Sequence, residues 1–373
     1  MKWVLAVQTK AQLKAFIDFP HDLYKADPCY VPELFIAQRD LLTPGKHPFH
    51  EHSKVKLFLA YHDNKVVGRI AAIYNTNHNT FNETADGFFG FFDCINDPEV
   101  SRRLFQEAEQ WLTEQGANSI IGPANFSTNE TCGLLIEGFD TPPFVMMAYN
   151  KAYYGSLLDQ LGFRKKVDLL AYRFGVDGYD DKAVRLNAAI RKRLEAKGIV
   201  IRPVNKSKFN EEVERIRDVY NSAWDKNLGF VPMTNNEFDY LAKDMKLILD
   251  TDFTMVAEVD GKIVGFALAI PDINQILIKI RRGRLLPLGL FKLLLGLKKV
   301  NGIRVLALGV VEGYRKLGIE GCFYAAIIEA YRKRNFKYAE ASWVLEHNEL
   351  MNKAMEHTKG KLYKRYRIFE KAI

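Results

Sequence analysis

The run Tyr314 to Gly321 (YRKLGIEG) has residue types and spacing suited to holding a phosphate. An alternating apolar run from Ile303 to Val311 precedes it, and an amphipathic stretch from Gly318 to Arg334 follows. Glycine at 318 and 321 lets main-chain N–H groups crowd a ligand where the helix opens, at Ile319. The unsatisfied donors and dipole of a helix start favour a pyrophosphate there. Arg315 and Lys316 add positive charge at the same place. An ordinary strand–turn–helix joint would look the same locally. The hairpin-like run ahead of it (MVAEVDGKIVGFALAI) and the helix, strand, helix and strand expected after it favour binding.

A second concentration of polar groups lies between Gly122 and Asn150, with Asn125, Ser127, Asn129, Glu130, Glu137 and Asp140 beside glycine and proline. Such a block either satisfies its own loop or supplies hydrogen bonds and a carboxylate base to a substrate. Asn125, Ser127 and Asn129 are the candidate substrate-binding residues, and Glu130 and Asp140 the candidate bases. His47, His50 and His52 share a loop without a fixed ligand geometry, so no metal is expected. Cys132 and Cys322 have no histidine partner by spacing and read as small buried apolar residues.

Elements that would position these groups follow from periodicity and turn chemistry. Strands are expected over 55–61 and 66–74 around an Asp63-Asn64 turn, then over 87–95, 119–122 and 167–174. Asp97-Pro98 caps a helix that Gly116 stops, and a second helix covers 153–161. The second half repeats the order: helices 209–224 and 236–249, strands 253–259 and 263–270 around Asp260-Gly261, strand 303–311, helix 318–334, strand 338–344, helix 349–357 and strand 363–370. This predicts an α+β protein of two similar units, 1–175 and 198–373, joined by a linker at 176–197 that carries a charged helix, 180–197. Each unit should hold a mixed, mostly antiparallel sheet flanked by helices.

Composition narrows the partners. The 373 residues are 48% hydrophobic and 26% charged, with a formal net charge of +8, which excludes wholesale disorder. Four dispersed cysteines argue against a disulfide framework and for a reducing compartment. The N-terminal apolar stretch is broken too early, by Lys10 and Lys14, for a secretory signal, and no apolar run is long enough to span a bilayer. The expected location is the cytoplasm. Between Ile273 and Val311 stand eight basic residues and no acidic one, around LLPLGLFKLLLGL at 285–297. Nucleic acid would not need nine leucines and phenylalanines. Residues 273–300 suit contact with an anionic membrane at its inner face, a lipidic ligand, or packing onto the first unit.

The Phe253–Phe369 region resembles the GNAT acyltransferases, which bind the CoA pyrophosphate on an R/Q-x-x-G-x-G/A loop. Arg315 and Gly318 match its first two fixed positions; Glu320 stands at the third, with Gly321 next. The first half resembles a GNAT unit with Leu161-Gly162-Phe163 intact and no pyrophosphate loop. The whole chain resembles a bacterial two-unit GNAT-like group, with members related to bacterial ceramide synthases. It carries the GPANFSTNE block at 122–130, LYKADPCYVP at 23–32, FFGFF at 88–92 and GFDTPP at 138–143.

The resemblance implies an acyl-CoA cosubstrate, acetyl or longer, held by Arg315, Lys316, Gly318, Ile319 and Gly321, with the pantetheine pairing to Val310 and Val311. It implies acyl transfer to an amine, whether a small molecule or a lipidic, sphingoid-type one, with Val311 N–H as candidate donor to the thioester oxyanion. The family's tyrosine acid falls at Glu356, which leaves Tyr363, His357 or a residue of the first half to protonate the thiolate. The competing expectation is a non-catalytic protein that keeps the fold and binds CoA or lipid.

Overall fold

The computed structural model describes residues 2–175, 181–223 and 229–373. Its strands are β1 (Lys2–Ala6), β2 (Lys54–His62), β3 (Lys65–Tyr74), β4 (Asp86–Cys94), β5 (Ser119–Gly122), β6 (Leu134–Glu137), β7 (Arg164–Gly175), β8 (Val200–Pro203), β9 (Thr254–Val259), β10 (Lys262–Pro271), β11 (Gly302–Val310), β12 (Tyr338–Leu345) and β13 (Lys361–Ala372). The helices are α1 (Lys10–Leu23), α2 (Phe35–Leu41), α3 (Thr76–Asn82), α4 (Pro98–Glu114), α5 (Tyr154–Gln160), α6 (Asp181–Glu195), α7 (Phe209–Ala223), α8 (Asn235–Ile248), α9 (Asn274–Leu277), α10 (Gly289–Gly296), α11 (Ile319–Lys333) and α12 (Glu349–His357).

The chain forms two compact units. Unit 1 comprises Met1–Leu169, Asn274–Lys298 and Lys364–Ile373, and unit 2 comprises Leu170–Ile273 and Lys299–Tyr363. Two segments that lie beyond residue 198 thus belong with the first unit. The reason for the last segment is hydrogen bonding: Phe369–Ala372 pair antiparallel with Gly122–Ser119, and Arg365–Arg367 pair with β6. The charged helix read as a linker is α6, which packs against α11 within unit 2. Residues 176–180, and Trp224 at the end of the expected helix 209–224, lie outside the described residues.

In unit 1, β1 to β4 form an antiparallel meander and β5 runs parallel to β4. Asp63 and Asn64 both take positive φ, 48° and 64°, as the turn of a tight hairpin requires. The Asp97 carboxylate accepts the N–H groups of Glu99 and Val100, which starts α4. Its apolar side, Leu104, Phe105, Ala108 and Leu112, closes the core over Phe89 and Ile120. Strands β4 and β5 pair over only three residues each, from Asp86 to Phe88 and from Ser119 to Ile121, before their ladder ends.

Unit 2 repeats the scheme. Strands β8 to β11 are antiparallel neighbours, and β12 runs parallel to β11 over Gly302–Val305 and Tyr338–Ala341. Helix α11 buries Ile319, Cys322, Phe323 and Ile327 on one sheet face, while Val219 of α7 packs with Phe266 on the other.

Segment 274–298 packs with unit 1 yet leaves its leucines out. Leu286, Leu288, Leu290, Phe291, Leu294 and Leu295 are between 39% and 78% exposed. Not all the neighbouring arginines are free for an anionic surface. Arg282 pairs with Asp22 at 2.6 Å, and Arg284 with Asp18 at 2.8 Å while lying over the Phe35 ring. Lys279, Arg281, Lys292 and Lys298 stay exposed. Among the described residues no helix is long and apolar enough to cross a membrane.

Candidate functional sites

In unit 2 the expected phosphate loop lies between β11 and α11. Beyond Val305 and Ala341 the parallel ladder stops, while β11 continues to Val310 paired to β10 alone. Antiparallel residues alternate in which side their main-chain groups face. Val311 N–H donates to Val264 O at 2.9 Å, which places Val311, Gly309 and Ala307 toward β10. Leu308 and Val310 therefore turn theirs to the open edge. This corrects the expected oxyanion donor: Val311 N–H is already bonded within the sheet. The Val310 carbonyl is also occupied, since Arg315 Nε–H donates to it at 2.9 Å. That bond folds Arg315 back beneath the loop.

The loop then turns through Lys316 and Gly318, at φ 63° and 94°. The first intrahelical bond of α11 runs from Cys322 N–H to Gly318 O, so the N–H groups of Ile319, Glu320 and Gly321 have no helical acceptor. Ile319 is fully buried in the core, main chain included, while Glu320 and Gly321 keep partial exposure. Both glycines have a packing role as well. A Cβ at 318 would stand 2.8 Å from Ile190, and one at 321 would stand 2.5 Å from Asn187, both on α6. Cys322 donates its thiol to Asn187 O at 3.5 Å, and burial pushes that thiol up, away from nucleophilic use.

On the sheet face away from α11 lies a charged cluster that periodicity did not single out. Arg304 and Glu340 occupy paired positions on β11 and β12 and are 1% and 0% exposed. Their nearest charged atoms are 3.8 Å apart. Arg304 Nε–H donates to Ser342 Oγ at 2.9 Å, and Ser342 Oγ–H donates to Glu340 at 2.6 Å. The Tyr363 hydroxyl donates to the other Glu340 oxygen, and the Arg173 guanidinium lies over the Tyr338 and Tyr363 rings. Trp343 Nε1–H, beneath Arg304, is buried without an acceptor. Tyr363 is thus tied to an enclosed carboxylate, whereas His357 sits exposed at the end of α12 with Nδ1 2.7 Å from Lys353 O. A charge in an otherwise apolar strand, matched by the opposite charge in a parallel neighbour, was the available signal.

The polar block 122–150 belongs to unit 1. Asn125 Oδ1 accepts Phe91 N–H at 2.8 Å, Ser127 Oγ–H donates to Glu130 at 2.7 Å, and Asn129 N–H donates to Ser127 Oγ at 3.1 Å. Asp140 is exposed, and Lys364 donates to the carbonyls of Gly138 and Thr141 around it. Ser127, Asn129 and Glu130 are brought together with Asn125 in one loop; Asp140 lies in another. Near the loop, His47 Nδ1 accepts Phe49 N–H, His50 Nε2 lies 2.9 Å from Leu41 O and His52 Nδ1 lies 2.7 Å from Ser53 Oγ. Among the described residues no group of three or more metal-ligating side chains is assembled.

No protein-family model matches the chain. It is 38% identical over 373 residues to Protein YghO of Escherichia coli strain K12, covering 98% of this chain and 94% of that protein. It is 35% identical over 377 residues to the bacterial ceramide synthase of Caulobacter vibrioides, covering 99% and 97%. Among solved structures, a tandem GNAT protein from the clavulanic acid biosynthesis pathway matches with a TM-score of 0.59 at 9% identity, over 100% of this chain and 98% of that one. A GCN5-related N-acetyltransferase from Sphaerobacter thermophilus matches with a TM-score of 0.53 at 12% identity, over 100% and 95%. The paired α+β units, the parting parallel strands and these likenesses agree: the chain has the tandem GNAT fold and belongs to the family of Protein YghO and the bacterial ceramide synthase.

Proposed function

We propose that the protein transfers an acyl group from a CoA thioester to an amine, and that the acceptor is lipophilic and of sphingoid type. The observation that carries the donor site is the unpaired edge of β11 leading into the N-terminus of α11. An extended pantetheine can add to such an edge as a further strand, through Leu308 and the Val310 N–H. The Glu320 and Gly321 N–H groups, with Lys316, would face the pyrophosphate. The amine nitrogen attacks the thioester carbon, the C–S bond breaks, and a base takes the ammonium proton while the thiolate is protonated. Val310 N–H is the candidate oxyanion donor, and Tyr363, backed by Glu340, the candidate acid. The likeness to a ceramide synthase supports the lipophilic acceptor.

The same reading places the protein in the cytoplasm, resting on the inner membrane face through the exposed leucines of 286–295 and their lysines. A second reading, a CoA- or lipid-binding protein without turnover, is favoured by Glu320 in the loop and by glycines committed to packing on α6. A thiol-release assay over acyl-CoA chain lengths and amines separates the two. Amine-dependent release supports transfer; CoA binding without release on any amine supports the second reading. Glu130→Gln and Asp140→Asn variants in that assay test the two carboxylates as bases.

A further inference from the structure

Unit 1 encloses a partly open cavity of about 150 Å³ beyond the end of the β4–β5 ladder. Its lining draws on all four sequence blocks by which the chain resembles its group. Tyr24 and Tyr30 come from 23–32, Phe91 and Phe92 from 88–92, Asn125 from 122–130 and Pro143 from 138–143. Segments distant in the chain thus meet around one space, and the donor site proposed in unit 2 uses none of them.

The buried charges of the lining are spent. Asp93 accepts from Arg69 Nε and Nη2, both at 2.8 Å, and from the hydroxyls of Tyr24 and Tyr154 at 2.9 and 3.2 Å. The remaining Arg69 nitrogen donates to Phe16 O at 2.9 Å. Burial lowers the His21 pKa to about 4, so that ring is neutral at pH 7. Glu33 also borders the cavity, but it is an exposed surface residue whose charge water screens. An ion entering the cavity would lose hydration and find no buried counter-ion left for it.

Neutral hydrogen-bonding capacity is what remains. Gln38, His21 and Asn274 line the cavity and are 9%, 8% and 9% exposed. Gln38 N–H donates to Leu34 O, but no described residue holds its carboxamide. His21 Nδ1 lies 3.0 Å from the Tyr30 hydroxyl, which leaves Nε2 over. Asn274 Nδ2 donates to Pro143 O at 2.9 Å, which leaves Oδ1 as an acceptor. None of these spare atoms is sealed inside the core. Buried polar groups of this kind cost free energy until a complementary partner meets them.

We propose that this cavity is a separate binding site for an uncharged amide, its carbonyl accepting from the Gln38 carboxamide and its N–H donating to Asn274 Oδ1. The count of unspent groups is the reason. The spare atoms include at least one donor pair, the Gln38 NH₂, and two acceptors, Gln38 Oε1 and Asn274 Oδ1. An amide offers one acceptor and one donor on opposite sides and carries no charge to desolvate, so it matches such a set. Met147 and Leu277 in the same lining supply apolar contact for the carbons on either side. A cavity of about 150 Å³ holds a group of benzene size, so a longer chain must leave through the open side. The proposal does not rest on acyl transfer, since it concerns binding in the unit that lacks the phosphate loop.

The test is a ligand-observed NMR titration of N-butylacetamide into the full chain at neutral pH without CoA. Two probes of the same length accompany it: butyl acetate, which has an ester oxygen for the N–H, and N-ethylbutylammonium chloride, which is charged and has no carbonyl. Saturable binding of the amide is expected. The ester should bind roughly three- to tenfold more weakly, the scale of one neutral hydrogen bond, and the ammonium about tenfold or more weakly. Gln38→Leu should weaken the amide by roughly three- to tenfold at an unchanged melting temperature. Met147→Trp, which fills the space, should weaken amide and ester alike. Saturating CoA should leave the amide bound. No saturable amide binding, an ester or ammonium that binds as tightly as the amide, or wild-type affinity in both variants overturns the proposal. Displacement of the amide by CoA would assign the cavity to the arm of CoA and overturn a separate site.

Discussion

Glu340→Gln removes one charge from a pair sealed inside unit 2 while leaving the side-chain shape nearly intact. Glu340 is 0% and Arg304 1% exposed, so neither charge is screened by water. Stripping one member from a buried pair typically costs ~3–5 kcal/mol, because the partner is left charged and unpaired. Arg304 keeps its bonds to the Ser342 hydroxyl and carbonyl and its position against Trp343. The lower end, ~3 kcal/mol, is therefore expected, and for a domain of about 150–250 residues this lowers Tm by roughly 6–12 °C. Urea unfolding followed by circular dichroism, with calorimetry to resolve the two units, measures it. The double variant Arg304→Met/Glu340→Gln should recover most of the loss, since two neutral side chains leave no orphan charge. A Glu340→Gln unfolding free energy within about 1 kcal/mol of wild type, or a double variant less stable than the single, would refute the reasoning.

Three further outcomes are expected. His21 binds a proton below about 6.5 when unfolded and only near about 4 when folded. The unfolded state therefore holds more protons between these values, so stability is full above pH 6.5, falls by roughly 3 kcal/mol on the way to pH 4 and is flat below, as far as this group is concerned; His21→Gln should flatten that slope in pH-dependent urea titrations. Gly283→Ala places a methyl against Glu33 O at a residue with φ 61°, so it should lower the unfolding free energy in urea titrations by about 1–3 kcal/mol. Vesicle sedimentation at low salt should pellet the protein with anionic but not neutral lipid, and Leu288→Ser/Phe291→Ser/Leu295→Ser should stay in the supernatant; pelleting of that variant like wild type would show that the leucines do not dock.

Local signals carried most of the elements. Turn residues such as Asp63-Asn64 and Asp260-Gly261 take the positive φ that their types allow, and Asp97-Pro98 starts α4 as a cap should. The short or polar elements escaped notice. β1, β6 and β8 span only four or five residues, and α1 carries Pro20 within it, so neither period is strong there. The α11 loop was legible because its glycines and basic residues are contiguous. Arg304 and Glu340 were not, since each is a single charge whose meaning depends on a strand distant in the chain.

Chain chemistry alone determined the α+β alternation, the two repeats, the strand-to-helix loop at 311–321 and the apolar–basic character of 273–300, because those are properties of neighbouring residues. Only the tertiary structure decided where the main-chain donors go. One hydrogen bond, Val311 N–H to Val264 O, sets the phase of β11 and hands the open edge to Leu308 and Val310. It also decided that Arg282 and Arg284 turn inward to Asp22 and Asp18 while the leucines stay outside, and that β13 completes unit 1. Strand phase, ion-pair choice and sheet membership are settled by partners scores to hundreds of residues away, and no local pattern encodes which partner wins.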